Sequence, residues 1–343
     1  MICSILTACK NDKKNKINKT NDVINVSKDL NLYTHRHYPA DQELFAQFEK
    51  ETGITVNVVN ASADELIQKM TLEGSNSPAD VLITVDAGRL VRADENGLLQ
   101  SISSVTLDSL IPSHLRDKNG KWFGLTKRAR VIAYAKNRIK PEELSTYENI
   151  ANNRWKGKVL VRSSGNIYNQ SLMASIIANN GEEVAKGWAK KVVQNMARSP
   201  KGNDRDQIKA VVAGEGDIAI VNTYYIGKLL NSKKIEEVRA GEGVGIFFPN
   251  QNDRGTHINI SGAGVAKYAP NKNNAIKFIE FLASSKAQEV FAKANYEYPV
   301  NPNVEASDLL KSWGTFKEDV LPLSALGKYN KNAVLVFDTS GWK

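Results

Sequence analysis

Cysteine, long apolar runs and catalytic motifs are all scarce in this chain of 343 residues. Its two cysteines, Cys3 and Cys9, lie close to the amino terminus, which excludes a disulfide framework or a cysteine-based metal site elsewhere in the chain. No apolar run reaches the roughly 18 residues of a transmembrane helix. The motifs GxSxG, GxxxxGK(S/T) and HExxH are absent, and so is an EF-hand loop. These absences argue against serine-hydrolase, P-loop and metalloprotease chemistry.

Positive charge is in excess but is not concentrated. The chain has 46 Lys and Arg against 37 Asp and Glu, which gives a net charge of +9. Such an excess suits a polyanion, but the basic residues are spread along the chain and form no single stripe. The only dense basic cluster runs from Lys10 to Lys19 and has the composition of a solvated linker. We therefore expect no nucleic-acid partner.

The stretch "ILTAC" at residues 5–9 is similar to a bacterial lipoprotein cleavage site, with Cys9 as the lipidated residue. The charged region that normally precedes such a site is missing, and the apolar part is short for a signal peptide. Short targeting motifs also match by accident. Lipid anchoring at Cys9 is therefore one interpretation, and an accidental match is the other.

Strands and helices alternate from about residue 29. The stretches "DLNLYTH", "ITVNVVN" and "ADVLITVD" have the composition of strands, while "DQELFAQFEKETG" and "SADELIQKMTLEG" have helical patterns. Ser62 and Glu65 have the spacing of a capping box, which predicts the start of the second helix. This order of elements predicts an open α/β sheet.

The second half of the chain repeats this class of pattern. "GKVLVRSS" leads into the helix "NIYNQSLMASIIANNG", "DIAIVN" leads into "TYYIGKLL", and "ARVIAYAKN" is a strand long enough to cross between two bodies. "GEGVG" at 241–245 precedes a strand, so we expect it to be a turn. Two α/β lobes joined by crossing strands fit these elements. Such a fold binds its ligand in the crevice between the lobes, at the carboxyl ends of strands.

Tyrosines follow the predicted strands at three separate points. Tyr38 follows "THRH", Tyr168 follows "SSGNI", and Tyr224 and Tyr225 follow "AIVNT". A single tyrosine usually fills the interior and hydrogen-bonds through its hydroxyl, but four at corresponding points of the topology are harder to explain in that way. In the first turn of a helix adjacent side chains diverge by about 100 degrees, so both hydroxyls of the pair can reach one ion.

Phenolate oxygen is a hard anionic ligand. Free tyrosine has a pKa near 10, so a strongly polarising cation must displace its proton near neutral pH. Calcium and magnesium favour carboxylates, carbonyls and water. A site dominated by tyrosine therefore predicts a trivalent ion, above all ferric iron.

His35 and His37 form an HxH pair on one face of a predicted strand. Such a pair can bind zinc or copper. No Cys or acidic ligand lies nearby in the sequence, so we favour a structural role for His35. His114 and His257 are left without a role.

The tyrosines lie within longer characteristic stretches: "NLYTHRHYPADQELFAQFEKETGI", "SSGNIYNQSLMASII", "GDIAIVNTYYIGKLL" and "GVAKYAPNKNNAIKFIEFLASSKAQEVFAKANYEYPVNP". From about residue 30 to its end, the chain resembles the ferric-iron-binding substrate-binding proteins of ABC transporters, most nearly the cyanobacterial Fut-type proteins. The resemblance implies that the ligands of Fe³⁺ are His37, Tyr38, Tyr168, Tyr224 and Tyr225. The histidine is not a ligand in every relative.

The resemblance also implies the organisation of the protein. It implies an α/β fold of the type II periplasmic-binding-protein class, with a ligand cleft between two lobes and no catalytic turnover. We expect an N-terminal targeting remnant and linker at 1–28, a first lobe from 29–127 and 254–300, and a second lobe from 128–253 and 301–343. The resemblance further implies that the protein is a periplasmic monomer and that it delivers ferric iron to an ABC permease.

A counter-charge is expected beside the iron. Fe³⁺ with four phenolates has a formal charge of −1, and burying that charge alone is costly. Arg128 and Arg130 alternate with Ala129 on a predicted crossing strand, so both side chains share a face. Lys228 lies four residues after Tyr224, on the same helical face. We expect Arg128 or Arg130 to lie beside the iron, with Lys228 as a further candidate.

A bound anion is the alternative way to complete the site. Some relatives use carbonate, and Ser164 and Gly165 lie in "SSGN", where a predicted helix begins and an anion can bind. As residues that cap the helix they need no anion. We favour the arrangement filled by arginine.

Two other classes of protein remain open at this point. A binding protein of the same fold for phosphate, sulfonate or thiosulfate would use Arg128, Arg130 and the start of the "SSGN" helix. An enzyme with a tyrosine as general acid is the second alternative, although the sequence has no ordered pair of nucleophile and base. Adding ferric citrate to the apo protein separates the first alternative from iron binding, because only iron phenolate has a visible charge-transfer band.

Overall fold

The computed structural model describes residues 27–343. The predicted lipid anchor at Cys9 lies outside these residues. Within them, no helix combines the length and apolar character needed to cross a membrane.

One mixed sheet organises the described chain, with strands in the order β2-β1-β3-β8-β4-β6-β5, while β7 and β9 pair with β4. The strands are β1 (Asp29–Thr34), β2 (Thr55–Asn60), β3 (Val81–Val85), β4 (Phe123–Ala135), β5 (Val159–Leu160), β6 (Ile218–Asn222), β7 (Val244–Phe247), β8 (Ile258–Val265) and β9 (Tyr298–Pro299). β1 pairs in parallel with β2 and β3, and β5 pairs in parallel with β6. The predicted α/β class is confirmed.

Helices cover the sheet. They are α1 (Pro39–Thr52), α2 (Ala63–Glu73), α3 (Ala87–Glu95), α4 (Val105–Leu110), α5 (Ile167–Asn180), α6 (Glu182–Asn195), α7 (Asp204–Val212), α8 (Thr223–Leu230), α9 (Ile235–Gly243), α10 (Lys272–Ala283), α11 (Ser285–Ala294), α12 (Asp308–Ser312), α13 (Ser324–Lys328) and α14 (Asn330–Ser340).

The ends of α1 and α2 follow ordinary capping chemistry. Pro39 opens α1 and Gly53 closes it at φ 68°, a backbone angle that favours glycine. The predicted capping box of Ser62 and Glu65 is confirmed at the start of α2.

Three buried apolar clusters divide the chain into two lobes. The first cluster draws on residues 30–125 and 258–326. The second draws on residues 132–220 and 333–342, and the third on residues 129–248. We call the part of the chain around the first cluster the first lobe, and the part around the other two the second lobe. The predicted boundaries stay a prediction. Leu323 and Leu326 lie in the segment that was assigned to the second lobe, but they pack in the first cluster.

Strand β4 runs through both lobes. Its residues 123–129 pair with β8 in the first lobe, and residues 130–134 pair with β6 in the second. Arg128 and Arg130 therefore stand on either side of the point where the strand leaves one lobe for the other. β4 and the segment between β7 and β8 therefore connect the two lobes.

The prediction of a turn at residues 241–245 is wrong. Gly241 and Gly243 lie in α9, and β7 begins directly at Val244. A side chain at Gly241 would meet Leu230, and one at Gly243 would meet Val212. The glycines therefore permit close helix packing and do not form a turn.

Candidate metal site

Tyr38 enters the cleft from the first lobe. It follows the loop after β1 and precedes α1, and its backbone N–H donates to Asp41 Oδ2 at 3.2 Å. The guanidinium carbon of Arg36 lies 5.0 Å from the ring centroid of Tyr38. These contacts hold the tyrosine at the carboxyl end of a strand, where the sequence predicted a ligand.

Tyr168 enters from the second lobe, in the first turn of α5. Asn166 caps this helix, and its side-chain oxygen accepts from the backbone N–H of Tyr168 at 3.1 Å. The Tyr168 ring is only partly buried. Three guanidinium groups lie 5.6 to 5.8 Å from its centroid, those of Arg128, Arg130 and Arg162.

Tyr224 and Tyr225 lie in the first turn of α8, directly after β6. Their ring centroids are 4.2 Å apart, and the Tyr224 hydroxyl donates to the Tyr168 hydroxyl at 3.2 Å. Tyr224 is buried, with 3% of its surface exposed. The strand-to-helix junction thus brings adjacent phenols to one side, as the sequence predicted.

Lys228 connects the two lobes at this site. Its ammonium lies 3.6 Å from the ring centroid of Tyr38 and 5.3 Å from that of Tyr224. The pKa of Lys228 is lowered to about 8, chiefly by burial; the charge of Glu297 opposes this shift and that of Arg36 adds to it. The four tyrosines and this lysine therefore occupy one region of the cleft.

The phenols of Tyr38, Tyr224 and Tyr225 hold their protons more firmly than free tyrosine does. Burial raises the pKa of Tyr38, Tyr224 and Tyr225 above the ordinary value for tyrosine, and the nearby Tyr168 adds to the increase in each case. A weakly polarising cation cannot displace protons held this firmly. The site therefore favours a cation of high charge.

The remaining donor types do not form a competing metal site. In residues 27–343 no group of three or more His, Cys, Asp or Glu side chains is placed to hold a metal ion. His37 is exposed and its ring centroid lies 5.5 Å from that of Tyr38. His35 is partly buried, with Nδ1 3.4 Å from the carbonyl oxygen of Ala61. Ligation by His37 stays a prediction.

Arg130 and Arg128 differ in their surroundings although both side chains are buried. Arg130 Nη1 donates to Asp204 Oδ1 at 2.5 Å, and its Nη2 donates to Asn169 Oδ1 at 2.8 Å. Arg128 makes one long hydrogen bond, from Nη1 to Ser261 Oγ at 3.4 Å. Arg130 therefore forms an ion pair with a carboxylate, while Arg128 forms none within the described residues.

The backbone N–H groups of Ser164 and Gly165 already have acceptors. The backbone N–H of Ser164 donates to the carbonyl of Lys343, and that of Gly165 donates to Ser163 Oγ. Asn166, which the sequence analysis did not single out, is the residue that caps α5. An anion at this helix start stays a prediction without support from these contacts.

Several charged residues at the site were missed by the sequence analysis. Arg36 forms a buried ion pair with Asp41 at 2.9 Å and another with Glu297 at 3.1 Å. Asp204 bridges Arg130 and Arg162, the latter at 2.7 Å. The signal for Arg36 was its position between two histidines in "THRHY", but its partner Glu297 is 261 residues away in the chain.

Comparisons with known proteins show the family of the chain and the fold that it shares with solved structures. The model of the family of bacterial extracellular solute-binding proteins matches residues 33–289. The chain is 52% identical over 315 residues to Iron uptake protein A1 of Synechocystis sp., covering 92% of this chain and 88% of that protein. A solved Trichodesmium protein (IdiA, FutA) in complex with iron and citrate is similar, with a TM-score of 0.89, 54% identity, and coverage of 92% of this chain and 100% of that one. The ferric binding protein from Campylobacter jejuni has a TM-score of 0.87 at 49% identity, with the same coverage of both chains.

Proposed function

The chain belongs to the family of bacterial extracellular solute-binding proteins, and on that premise we propose that it binds ferric iron between its lobes for uptake through an ABC transporter. Its relatives include proteins named for iron uptake and for ferric binding. The two-lobed fold of these relatives supplies the cleft in which the proposed ligands lie.

One observation carries the assignment of the site: phenols from both lobes converge where other ligand types are scarce. Tyr38 comes from the first lobe, and Tyr168, Tyr224 and Tyr225 come from the second. Four hard oxygen donors on two separate bodies suit a trivalent cation that is held when the bodies close. We propose these four tyrosines as the ligands of Fe³⁺, with His37 as an additional candidate.

The order of binding follows from where the tyrosines lie. Three of them are fixed on α5 and α8 of the second lobe, so this lobe holds most of the ligands before closure. Tyr38 then adds a fourth when the first lobe closes on the iron. Each phenol releases its proton on binding, because only the phenolate is a strong ligand. Release to the permease requires opening, which withdraws Tyr38 first.

The relatives named above are transport and binding proteins, so we infer a carrier without catalytic turnover. Family membership supports a periplasmic location and an ABC permease as partner. A monomer is the simplest form of such a carrier, because one chain supplies both lobes of the cleft. Lipid anchoring at Cys9 stays a prediction.

A ferric titration tests the proposed function. We expect the apo protein to develop a visible phenolate-to-iron charge-transfer band on adding ferric citrate, to release protons, and to become more compact in small-angle scattering. Phosphate and thiosulfate serve as matched controls and should produce neither the band nor the compaction. If one of these anions made the protein more compact and iron had no effect, the protein would be an anion carrier instead.

A further inference from the structure

Arg36 lies against the ring of Tyr38 and is engaged by several polar partners of the first lobe. Its side chain is 2% exposed, and each of its three nitrogens donates a hydrogen bond. Nε and Nη2 donate to Asp41 Oδ1 at 3.1 and 2.9 Å, while Nη1 donates to Glu297 Oε2 at 3.1 Å and to Ser261 Oγ at 2.8 Å. Turning the guanidinium would break hydrogen bonds in the interior, where their loss is costly. The side chain is therefore fixed in one orientation.

The partners of Arg36 come from separate elements of the first lobe. Asp41 lies in the first turn of α1, Ser261 lies on β8, and Glu297 lies between α11 and β9. Glu297 is buried and is itself held by a hydrogen bond from the side chain of Asn295. The position of Arg36 is therefore set by the frame of the lobe and not by the short loop that contains it.

Arg36 gives Tyr38 a fixed position and not a net positive charge. The cluster of Arg36, Asp41 and Glu297 has a formal net charge of −1, because two carboxylates are paired with one guanidinium. The guanidinium carbon lies 5.0 Å from the ring centroid of Tyr38 and 5.1 Å from that of Phe291, so the flat cation packs on two aromatic rings. Asp41 also accepts from the backbone N–H of Tyr38 at 3.2 Å. The pair of Arg36 and Asp41 therefore holds both the ring and the backbone of the proposed ligand.

Tyr38 needs such support because it is the one tyrosine among the proposed ligands that comes from the first lobe. In the second lobe the rings of Tyr224 and Tyr225 pack together, and the Tyr224 hydroxyl donates to that of Tyr168. Tyr38 contacts Lys228, but that residue belongs to the second lobe, so the contact ends when the lobes separate. In the open protein the position of Tyr38 depends on its own lobe.

We propose, on the basis of the proposed function, that Arg36 is the positioning residue of Tyr38. It holds the phenol ring of the open first lobe in the orientation that the closed site requires. A ligand that is already in place loses little conformational freedom when it binds, so this arrangement raises ferric affinity although Arg36 is not itself a ligand. The effect of Arg36 on iron therefore depends on the presence of the Tyr38 hydroxyl.

A double-mutant cycle with Tyr38 tests this dependence. Arg36→Met combined with Glu297→Gln removes one positive and one negative charge, so the net charge of the cluster is unchanged and Asp41 keeps the backbone N–H of Tyr38. We expect ferric affinity, measured by competition with a ferric chelator, to fall about 10-fold. In a Tyr38→Phe background the same pair of changes should cost less than about 2-fold, because no phenolate is left to position. A merely structural contribution would weaken binding equally in both backgrounds.

Two further variants serve as comparisons. Arg116→Met with Asp108→Asn removes a 2.7 Å ion pair from the surface of the same lobe, and it should change ferric affinity in neither background. Arg36→Lys keeps the charge but loses the planar group that packs on the ring and forks toward Asp41, so it should also weaken binding about 10-fold.

Thermal unfolding shows whether each variant folds. If Arg36→Met with Glu297→Gln does not fold, Phe291→Leu removes the second ring from the guanidinium and leaves both of its ion pairs in place. This milder change should lower ferric affinity about 3-fold in the presence of Tyr38, and it should have no effect in the Tyr38→Phe background.

The outcomes separate this inference from the proposed function. If the unsubstituted protein does not bind ferric iron, the proposed function fails. If it binds iron, and the change at Arg36 and Glu297 costs the same with and without the Tyr38 hydroxyl, the inference is overturned while iron binding stands. Arg36→Lys with undiminished ferric affinity would also overturn it, because charge alone would then be sufficient. A loss confined to proteins that contain Tyr38 supports the positioning role.

Discussion

The ammonium of Lys228 lies 3.6 Å from the ring centroid of Tyr38, so a cation from the second lobe rests on an aromatic face of the first. This attraction depends on the ring and not on the hydroxyl. Phenylalanine at position 38 would keep it. The contact between the lobes and the proposed bond to iron can therefore be separated by removing one oxygen atom.

We expect Tyr38→Phe to weaken iron binding and to leave the iron-loaded protein more open. The three tyrosines of the second lobe would still hold the ion, but the first lobe would contribute no ligand oxygen. Small-angle scattering with and without iron measures the change. Compaction equal to that of the unsubstituted protein would show that Tyr38 does not drive closure.

Changing Tyr224 and Tyr225 together to Phe should abolish the visible iron band while the fold survives. The rings and their packing remain, and the hydrogen bond from Tyr224 to Tyr168 contributes only about 1 kcal/mol. Absorbance with ferric citrate and thermal unfolding measure the two effects. Tyr268→Phe, at a tyrosine that is 49% exposed, is the matched control and should keep the band. A band of normal intensity in the double variant would contradict the assignment.

Ferric affinity should fall as the pH falls, with more than one proton taken up for each iron released. The raised pKa values of Tyr38, Tyr224 and Tyr225 mean that these phenols are protonated before iron binds, so protons compete with the ion. Titrations from mildly acidic to mildly alkaline pH, with proton release followed by an indicator, measure this linkage. An affinity that is flat across this range would contradict phenolate ligation.

The same shifts predict the opposite dependence for the stability of the apo protein. A phenol whose pKa is raised on folding stabilises the fold while the pH is below the unfolded value of about 10, and that contribution is lost as the pH rises toward the folded value. Denaturant unfolding of the apo protein should therefore show a decline in the free energy of unfolding at strongly alkaline pH. The Tyr224 and Tyr225 double Phe variant should show a smaller decline.

Gly227→Ala should hold the cleft open without touching any proposed ligand. A Cβ atom at position 227 would lie 2.6 Å from Cβ and 2.7 Å from Cγ of Tyr296, which belongs to the other lobe. We expect weaker iron retention and a larger radius of gyration with iron bound. Gly187→Ala, at a helical glycine with no atom within 4 Å of the added Cβ, is the control. Equal iron retention in both variants would show that the second lobe can shift to accept the methyl group.

Asp204→Asn should lower the free energy of unfolding by about 3 to 5 kcal/mol. Asp204 is fully buried and is the shared partner of Arg130 and Arg162, so its loss leaves buried positive charge without compensation. Glu143→Gln, which breaks the surface pair with Arg154, should cost less than about 1 kcal/mol. Denaturant unfolding measures both. If Asp204→Asn lowered the free energy of unfolding as little as Glu143→Gln does, water would have to reach the Asp204 site.

Much of the fold and the tyrosine cluster could be predicted because their causes are local. The capping box of α2 and the strand-to-helix junction before Tyr224 are properties of neighbouring residues. The topology of an α/β sheet then brings its strand ends together. The pairing of Arg36 with Glu297 could not be predicted, because it joins distant parts of the chain. The error at Gly241 arose because glycine that permits close packing and glycine that forms a turn look alike in sequence.

The path of β4 through both lobes sets a limit on how this protein can vary in length. Arg128 and Arg130 share a face only because one residue separates them, and side chains alternate along a strand. Inserting or deleting a single residue between them would rotate one arginine to the opposite face and shift the register with β6 or β8. Surface loops of the protein can gain or lose residues at small cost, whereas a change of length in this three-residue segment would displace a buried arginine.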